Sequence, residues 1–227
     1  MKGKLYGVGV GPGDPSLMTY KAAQCIEQVP VIAVPTSGGN KQIALEIVAP
    51  YLSSQEILHC YMPMTRDKEA LTRIHEACAN QIQGYLDAGK DVAFLTLGDP
   101  TIYSTYIYIH KHIVSRGYEA SMIPGVPSFC AVAAKLGNSL CEEGEILHII
   151  PASYEGTEAA LGLKGNKVLM KTGKSLKKVF DLLKQKGLYE SAQMVSCCGM
   201  KEEKIYPTLK EVQEESSYFS IVVVKEE

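Results

Sequence analysis

Three short glycine-containing segments carry most of the chemical signal in this sequence. They are residues 6–15 (YGVGVGPGDP), 95–106 (LTLGDPTIYSTY) and 123–128 (IPGVPS). Glycine lets the backbone approach another group closely, and backbone N–H groups at the start of a helix bind anionic or polar atoms. The three segments therefore predict a ligand that is held by turns of the backbone, with few catalytic side chains.

The first segment does not match the common nucleotide-binding loops. If the dinucleotide fingerprint G-x-G-x-x-G begins at Gly7, its third glycine falls on Pro12, and the next two starting glycines fail in the same way. No G-K-[ST] ending follows, and Leu5 stands where the common methyltransferase loop has an acid. Two interpretations stay open: a tight turn between a strand and a helix, or backbone amides of residues 11–14 that face a ligand.

The elements that must position these segments form an α/β pattern in the first half of the chain. Apolar runs over residues 4–10, 29–35, 56–61 and 91–97 alternate with helical patterns, which predicts a mostly parallel sheet. Ligands of such sheets bind outside the carboxyl ends of the strands. The first two segments follow two of these ends, so we expect them to border one site.

Helix signals flank the strands. Asp14 and Pro15 are expected to cap and open a helix that runs through residue 28, and Asn40 to cap a helix over residues 41–49. Apolar residues at steps of three and four predict a long helix over residues 67–88, and another helix is expected over residues 105–116.

The second half of the chain has a different pattern of predicted strands and helices. Five strand candidates lie at residues 145–150, 167–171, 192–197, 203–208 and 218–225, with fewer long helices between them. The last two candidates are close enough in sequence to be antiparallel neighbours. We therefore expect two α/β domains, residues 1–121 and residues 122–227, and a mixed sheet in the second.

Composition excludes several classes of function. The 227 residues are 46% apolar and 21% charged with a net charge of −2, which indicates a soluble globular protein without a nucleic-acid or anionic-membrane partner. No signal peptide and no membrane span is recognisable. Seven cysteines without a C-x-x-C pair indicate free thiols in a reducing compartment, so we expect a cytoplasmic protein. His110 and His112 point to different helix faces, and no metal site is expected.

Taken together, the motifs GVGPGDP, LGDPTIYSTY and PGVPSF resemble the tetrapyrrole (corrin/porphyrin) methyltransferase family over essentially the whole chain. The form G-D-P-T-x-Y-S-T-Y and the ending YFSIVVVK look most like the branch that methylates C-20 of precorrin-2 or cobalt-factor II. The resemblance implies a homodimer of two-domain α/β chains with S-adenosylmethionine in the cleft between the domains. It also implies that the first segment faces the tetrapyrrole, whereas the other two hold the cofactor.

The resemblance also assigns roles to residues. Asp99 and Tyr103 are the catalytic candidates, and Asp99 is expected to hold the cofactor's ammonium group without being needed for the fold. The cofactor contacts are expected at Leu97, Gly98, Asp99, Ile102, Tyr103, Ser128, Phe129, Met170, Cys198, Gly199 and Ser220. The substrate contacts are expected at Gly11, Pro12, Gly13, Asp14 and Tyr106, with Arg66, Lys171 and Lys201 as candidates for pairing with the substrate's carboxylates.

Two alternatives stay open at this point. The chain can be a sister methyltransferase that acts at another ring carbon, or a non-catalytic α/β protein that binds an anionic metabolite. Binding of S-adenosylhomocysteine separates the second alternative from the enzyme.

Overall fold

The computed structural model describes residues 1–37, 42–63, 65, 67–212 and 219–226, without the side chain of Lys174. The chain forms two compact units, Met1–Pro127 and Ser128–Glu227, here called the first and the second unit. Within the described ranges, no helix has the length and apolar character needed to cross a membrane.

The first unit is built on a five-stranded parallel sheet in the order β3-β2-β4-β1-β5. Its strands are Leu5–Gly9 (β1), Val31–Thr36 (β2), Glu56–Tyr61 (β3), Val92–Thr96 (β4) and Ala120–Ile123 (β5). All five residues of β4 are buried, as expected for a parallel strand that is covered on both faces. Since β1 lies between β4 and β5, the three strand ends that precede the glycine-containing segments are neighbours.

Among the described residues of this unit, four helices cover the sheet: Tyr20–Gln28 (α1), Ile43–Val48 (α2), Lys68–Asp87 (α3) and Tyr106–Ser115 (α4). The long helix α3 lies where the sequence predicts it, and it begins after Asp67, whose carboxylate accepts the N–H groups of Glu69 and Ala70. The predicted start of α1 is wrong. Asp14 caps only a short 3-10 turn, and α1 begins later because the hydroxyl of Thr19 accepts the N–H of Ala22. The predicted cap at Asn40 lies outside the described residues.

The second unit has a mixed sheet in the order β6-β7-β10-β8-β9. Its strands are Leu147–Pro151 (β6), Asn166–Met170 (β7), Ala192–Ser196 (β8), Lys204–Tyr206 (β9) and Ser220–Val224 (β10). Its helices are Ser128–Leu136 (α5), Thr157–Leu161 (α6) and Leu176–Gln185 (α7). Strand β10 is antiparallel to both β7 and β8, so β6, β7 and β8 end at the same edge of the sheet.

Two expectations about the second half need correction. Strands β9 and β10 are not neighbours, because β9 pairs with β8 while the fully buried β10 takes the centre of the sheet. The boundary expected between residues 121 and 122 falls inside β5, which pairs with β1, so the first unit extends to Pro127.

Candidate active site

The turns that follow β1 and β4 are joined by backbone hydrogen bonds. The N–H of Gly98 donates to the carbonyl of Gly11 at 2.7 Å, and the N–H of Gly11 donates to the carbonyl of Gly98 at 3.3 Å. Both glycines have positive φ, +78° at Gly11 and +73° at Gly98, a backbone conformation that side chains with a Cβ rarely adopt. The first two glycine-containing segments therefore form one structure at the carboxyl edge of the first sheet.

The third turn, after β5, packs against the other two at backbone distance. A Cβ placed on Gly9 would lie 2.5 Å from the nitrogen of Gly125 and 2.7 Å from the carbonyl oxygen of Gly98. A Cβ on Gly125 would overlap that same carbonyl oxygen. Gly9 and Gly125 are thus required by the close packing of the turns on one another.

Asp99 fastens this arrangement. One of its carboxylate oxygens accepts the N–H of Thr101 at 2.7 Å and the hydroxyl of the same residue. The other oxygen accepts the N–H of Gly125 at 3.0 Å, across the end of β1. Asp99 is buried at 8% exposure, and three internal hydrogen bonds use most of the acceptor positions of a carboxylate. Asp99 therefore contributes to the stability of the turns, and its contact with the cofactor's ammonium stays a prediction, as does the expectation that the fold survives its loss.

Tyr103 is presented by the same turn. Its φ of +49° is unusual for a residue other than glycine, and its side chain is 44% exposed. The backbone is fixed just beyond it, because the hydroxyl of Ser104 lies 3.2 Å from that of Thr96 and accepts the N–H of Tyr106. Strained, accessible residues of this kind concentrate at functional sites. Leu97 and Ile102 are half-buried beside it in the chain.

Tyr106 does not line a surface, in contrast to the expectation. Its side chain is fully buried, and its hydroxyl donates to the carbonyl of Ser121 at 3.2 Å and lies 3.0 Å from Nδ1 of His110. The ring occupies the space that a side chain at Gly7 would need. Burial raises the pKa of Tyr106 above its ordinary value. The residue belongs to the core because helix α4 turns it back onto the sheet.

The first segment keeps part of its backbone near the surface. Gly11 and Pro12 are buried, whereas Gly13 and Asp14 are half-buried. One carboxylate oxygen of Asp14 accepts the N–H of Ser16 at 2.8 Å and its hydroxyl at 2.7 Å. Only residues 13 and 14 of the four therefore present appreciable surface to a substrate.

In the second unit, four residues that are expected to contact the cofactor lie at one edge of the sheet. Met170 ends β7, Cys198 and Gly199 follow β8, and Ser220 begins β10 between these two strands. Met170 is half-buried and Cys198 buried. Ser220 is fully buried and its hydroxyl donates to that of Ser196 at 3.1 Å, and its contact with the cofactor stays a prediction.

The turn after β8 is held by a carboxylate that sequence reasoning missed. Glu203 accepts the N–H of Gly199 at 2.6 Å and pairs with Lys135 of α5 at 3.0 Å. These two contacts, the amide first, hold the pKa of Glu203 below its ordinary value. Burial raises the pKa of the Cys198 thiol to about 11, so this cysteine is protonated near neutral pH. No local motif marks Glu203, because its partner glycine is identified only by the turn geometry.

The remaining candidate site residues lie at other positions in the chain. Ser128 and Phe129 open helix α5, the serine half-buried and the phenylalanine buried. Lys171 follows Met170 and is half-buried, Lys201 is exposed, and Arg66 lies outside the described residues. The part of the chain that the structure describes contains no group of three or more His, Cys, Asp or Glu side chains that could hold a metal ion.

Solved structures with the same fold are tetrapyrrole methyltransferases. A cobalt precorrin-4 methyltransferase superposes with a TM-score of 0.79 at 21% identity, covering 98% of this chain and 94% of that one. A uroporphyrin-III C-methyltransferase from Thermus thermophilus in complex with S-adenosylhomocysteine superposes with a TM-score of 0.73 at 20% identity, covering 98% and 92%. These likenesses confirm the predicted two-domain α/β fold class.

Sequence comparison connects the chain to a family. The probable cobalt-precorrin-2 C(20)-methyltransferase of Methanocaldococcus jannaschii is 34% identical, covering 98% of this chain and 96% of that protein. The cobalt-precorrin-2 C(20)-methyltransferase of Salmonella typhimurium is 33% identical, covering 100% and 98%. The family model for tetrapyrrole (corrin/porphyrin) methylases matches residues 4–213. With its three joined turns and this near-complete match, the chain belongs to the tetrapyrrole (corrin/porphyrin) methylase family.

Proposed function

We propose that the protein transfers a methyl group from S-adenosylmethionine to C-20 of precorrin-2 or of its cobalt complex, in cobalamin biosynthesis. The observation that carries this proposal is the similarity, over 98% of the chain, to a relative named for C-20 methylation of cobalt-precorrin-2. A protein named precorrin-2 C(20)-methyltransferase from a Sinorhizobium species is also similar, at 29% identity over 98% of this chain. The two names differ in cobalt, so we propose the ring position and leave both metal states as substrates.

The described residues fit S-adenosylmethionine as the methyl donor. Half-buried Leu97 and Ile102 and the exposed ring of Tyr103 offer apolar and aromatic surface for a nucleoside, next to a turn that is rigidly held. Support comes also from the solved Thermus thermophilus relative, which carries the demethylated product of this donor. In the second unit we propose Met170, Cys198 and Gly199 as contacts of the adenosine.

Methyl transfer from this donor depends mainly on the alignment of the donor with the ring carbon. When bound, the donor would supply a methyl group on a positively charged sulfur, which leaves as the neutral thioether of S-adenosylhomocysteine. The ring carbon must be held in line with the S–CH₃ bond, and after methylation it releases its proton to solvent. Placing two reactants in this way contributes roughly 7–11 kcal/mol to lowering a barrier. We propose that Asp99 acts by holding the turns in place, that Tyr103 contacts the donor, and that Gly13 and Asp14 face the tetrapyrrole.

The test is the position of the new methyl group. The protein is incubated with carbon-13 methyl-labelled S-adenosylmethionine and, separately, with precorrin-2 and with its cobalt complex. The product is then examined by NMR. We expect one labelled methyl at C-20 in at least one of the two reactions, and none in a control with excess S-adenosylhomocysteine. A methyl at another carbon contradicts the ring position, and no transfer to either substrate contradicts the enzyme.

We also propose a homodimer in the cytoplasm. The resemblance to the family implies the dimer, and seven unpaired cysteines suit a reducing compartment. Light scattering of the purified protein tests the dimer: we expect twice the mass of one chain, and a monomer at micromolar concentration would contradict it.

A further inference from the structure

The turn between β8 and β9 has a tightly folded backbone. It comprises residues 197–203 and is here called the β8–β9 turn. Cys197 and Gly199 both have left-handed φ, +52° and +76°. The N–H of Met200 donates to the carbonyl of Cys197 at 2.9 Å, and the N–H of Glu203 donates to the carbonyl of Met200 at 3.1 Å. The chain therefore folds back on itself at the edge of the sheet where β8 ends.

The side chain of Glu203 crosses the β8–β9 turn. Its Oε2 atom accepts the N–H of Gly199 at 2.6 Å, and its Oε1 atom lies 3.0 Å from Nζ of Lys135. Lys135 belongs to α5, which packs against β8 and β10. The side chain of Glu203 is only 20% exposed, and an N–H bonds more strongly to a charged acceptor than to a neutral one. Glu203 therefore anchors the amide of Gly199 to the body of the second unit.

This anchor also fixes the carbonyl of Cys198. The N–H of Gly199 and the carbonyl of Cys198 belong to one planar peptide group, in which they point in opposite directions. Because glycine has no Cβ, its backbone rotates at little steric cost, and without an anchor this peptide could take more than one orientation. The contact with Glu203 selects the orientation in which the carbonyl of Cys198 points away from the carboxylate.

We propose that Glu203 is a positioning residue of the donor site, which holds the carbonyl of Cys198 as the acceptor of a hydrogen bond from the adenosine part of S-adenosylmethionine. The inference rests on the proposed function, in which Cys198 and Gly199 contact the adenosine. A carbonyl can only accept, and the donors of adenosine are the 6-amino group of the base and the ribose hydroxyls. The two donors offer the same chemistry, so the experiment separates them.

The second unit supplies a matched control in Glu226. Its Oε2 atom accepts the N–H of Gly165 at 2.6 Å, and its Oε1 atom lies 2.7 Å from Nζ of Lys167. Like Glu203, it joins the amide of a glycine to a lysine. Gly165 directly precedes β7, whereas Met170 ends that strand at the edge of the proposed site. Removal of Glu226 therefore disturbs the same sheet from its opposite edge.

The experiment measures ligand affinity and melting temperature in four variants. Glu203→Ala removes the carboxylate, Glu203→Asp withdraws it by one methylene, and Glu203→Gln keeps an oxygen that can accept the N–H of Gly199. Glu226→Ala is the control. Binding is measured by calorimetry with S-adenosylhomocysteine and with S-inosylhomocysteine, which lacks the 6-amino group, and by displacement where the affinity is low.

We expect Glu203→Ala to weaken S-adenosylhomocysteine by about tenfold, the loss of one hydrogen bond, and Glu203→Asp to weaken it by a smaller factor. Glu203→Gln should keep most of the affinity although it melts earlier, because it loses only the ion pair with Lys135. Glu226→Ala should melt earlier and bind as the wild type does. A loss in Glu203→Ala for S-adenosylhomocysteine alone identifies the 6-amino group as the donor, and equal losses for both ligands identify the ribose.

Two results would overturn the inference. One is unchanged affinity for S-adenosylhomocysteine in Glu203→Ala or, if that variant does not fold, in Glu203→Asp. The other is an equal loss of affinity in Glu203→Ala and Glu226→Ala, which would make the effect one of general destabilisation. These outcomes are separate from the fate of the proposed function: a chain that binds S-adenosylhomocysteine with the help of Glu203 but methylates neither form of precorrin-2 loses the function and keeps the positioning residue.

Discussion

The first unit contains the tripeptide Gly-Asp-Pro twice, and the two copies do different work. In both, one carboxylate oxygen of the aspartate accepts the N–H and the hydroxyl of the residue two positions on, Ser16 after Asp14 and Thr101 after Asp99. Asp14 is half-buried at the start of a short 3-10 turn. Asp99 is buried and also accepts the N–H of Gly125, 26 residues away.

This difference shows that the role of each aspartate depends on where its turn lies in the sheet and not on the Gly-Asp-Pro motif itself. The turn after β4 lies one strand away from β5, so its aspartate can reach across the end of β1 and join a third turn. We infer that the Asp99 copy shapes the site, while the Asp14 copy stays near the surface for the substrate. The predictions below test this contrast.

We expect the largest loss of stability from a substitution that fills the space between the turns. Gly125→Ala would place a Cβ against the carbonyl oxygen of Gly98, and a backbone atom cannot move aside as a side chain can. We expect the free energy of unfolding to fall by about 4 kcal/mol or more, measured by urea denaturation. Gly84→Ala is the control, because Gly84 lies in α3 with nothing within 4 Å of a Cβ, and it should raise stability by about 1 kcal/mol. A small loss for Gly125→Ala would show that the turns are not packed at backbone distance.

The second prediction compares the losses of stability that follow removal of each of the two aspartates. Asp99→Ala leaves the buried N–H of Gly125 without its acceptor, and we expect the free energy of unfolding to fall by about 2–3 kcal/mol. Asp14→Ala removes the cap of a short turn, and a loss of about 1 kcal/mol is expected. Equal losses, measured by denaturation of both variants under the same conditions, would remove the distinction between the copies.

A smaller effect is expected in the second unit, where Glu203 holds Gly199 as Asp99 holds Gly125. The pKa of Glu203 is lowered in the folded state, so its contribution to stability is present above the pKa of an unfolded glutamate and is lost as pH falls through the folded value. We expect Glu203→Gln to be less stable than the wild type at pH 7, and the difference to shrink on acidification. Thermal unfolding at several pH values measures this, and a difference that grows as pH falls would contradict the pairing.

Elements with strong local signals are predictable from the sequence. The apolar run at residues 56–61 is strand β3, and the spacing over residues 67–88 gives helix α3 to within one residue at each end. Strand β5 was missed as a strand, since its residues are mostly half-buried and it lies at the sheet edge. Its weak pattern also displaced the expected domain boundary.

Features that depend on contacts between residues far apart in the sequence could not be predicted from the sequence. The central place of β10 follows from its pairing with β7 and β8, which an apolar run alone cannot specify. Tyr106 was expected at a surface because it stands in the second segment, but it packs where Gly7 leaves room. The two aspartates look alike in sequence because the partner that separates them, Gly125, belongs to another segment.

The most direct test of the contrast is a calorimetric titration of S-adenosylhomocysteine into Tyr103→Ala and Asp14→Ala. Each variant removes one accessible side chain from one Gly-Asp-Pro turn region and leaves Asp99 intact. We predict that Tyr103→Ala weakens S-adenosylhomocysteine by about tenfold, while Asp14→Ala keeps the wild-type affinity and instead raises the KM for the tetrapyrrole. Weaker S-adenosylhomocysteine binding in Asp14→Ala, with Tyr103→Ala unaffected, would contradict the assignment of the two turns.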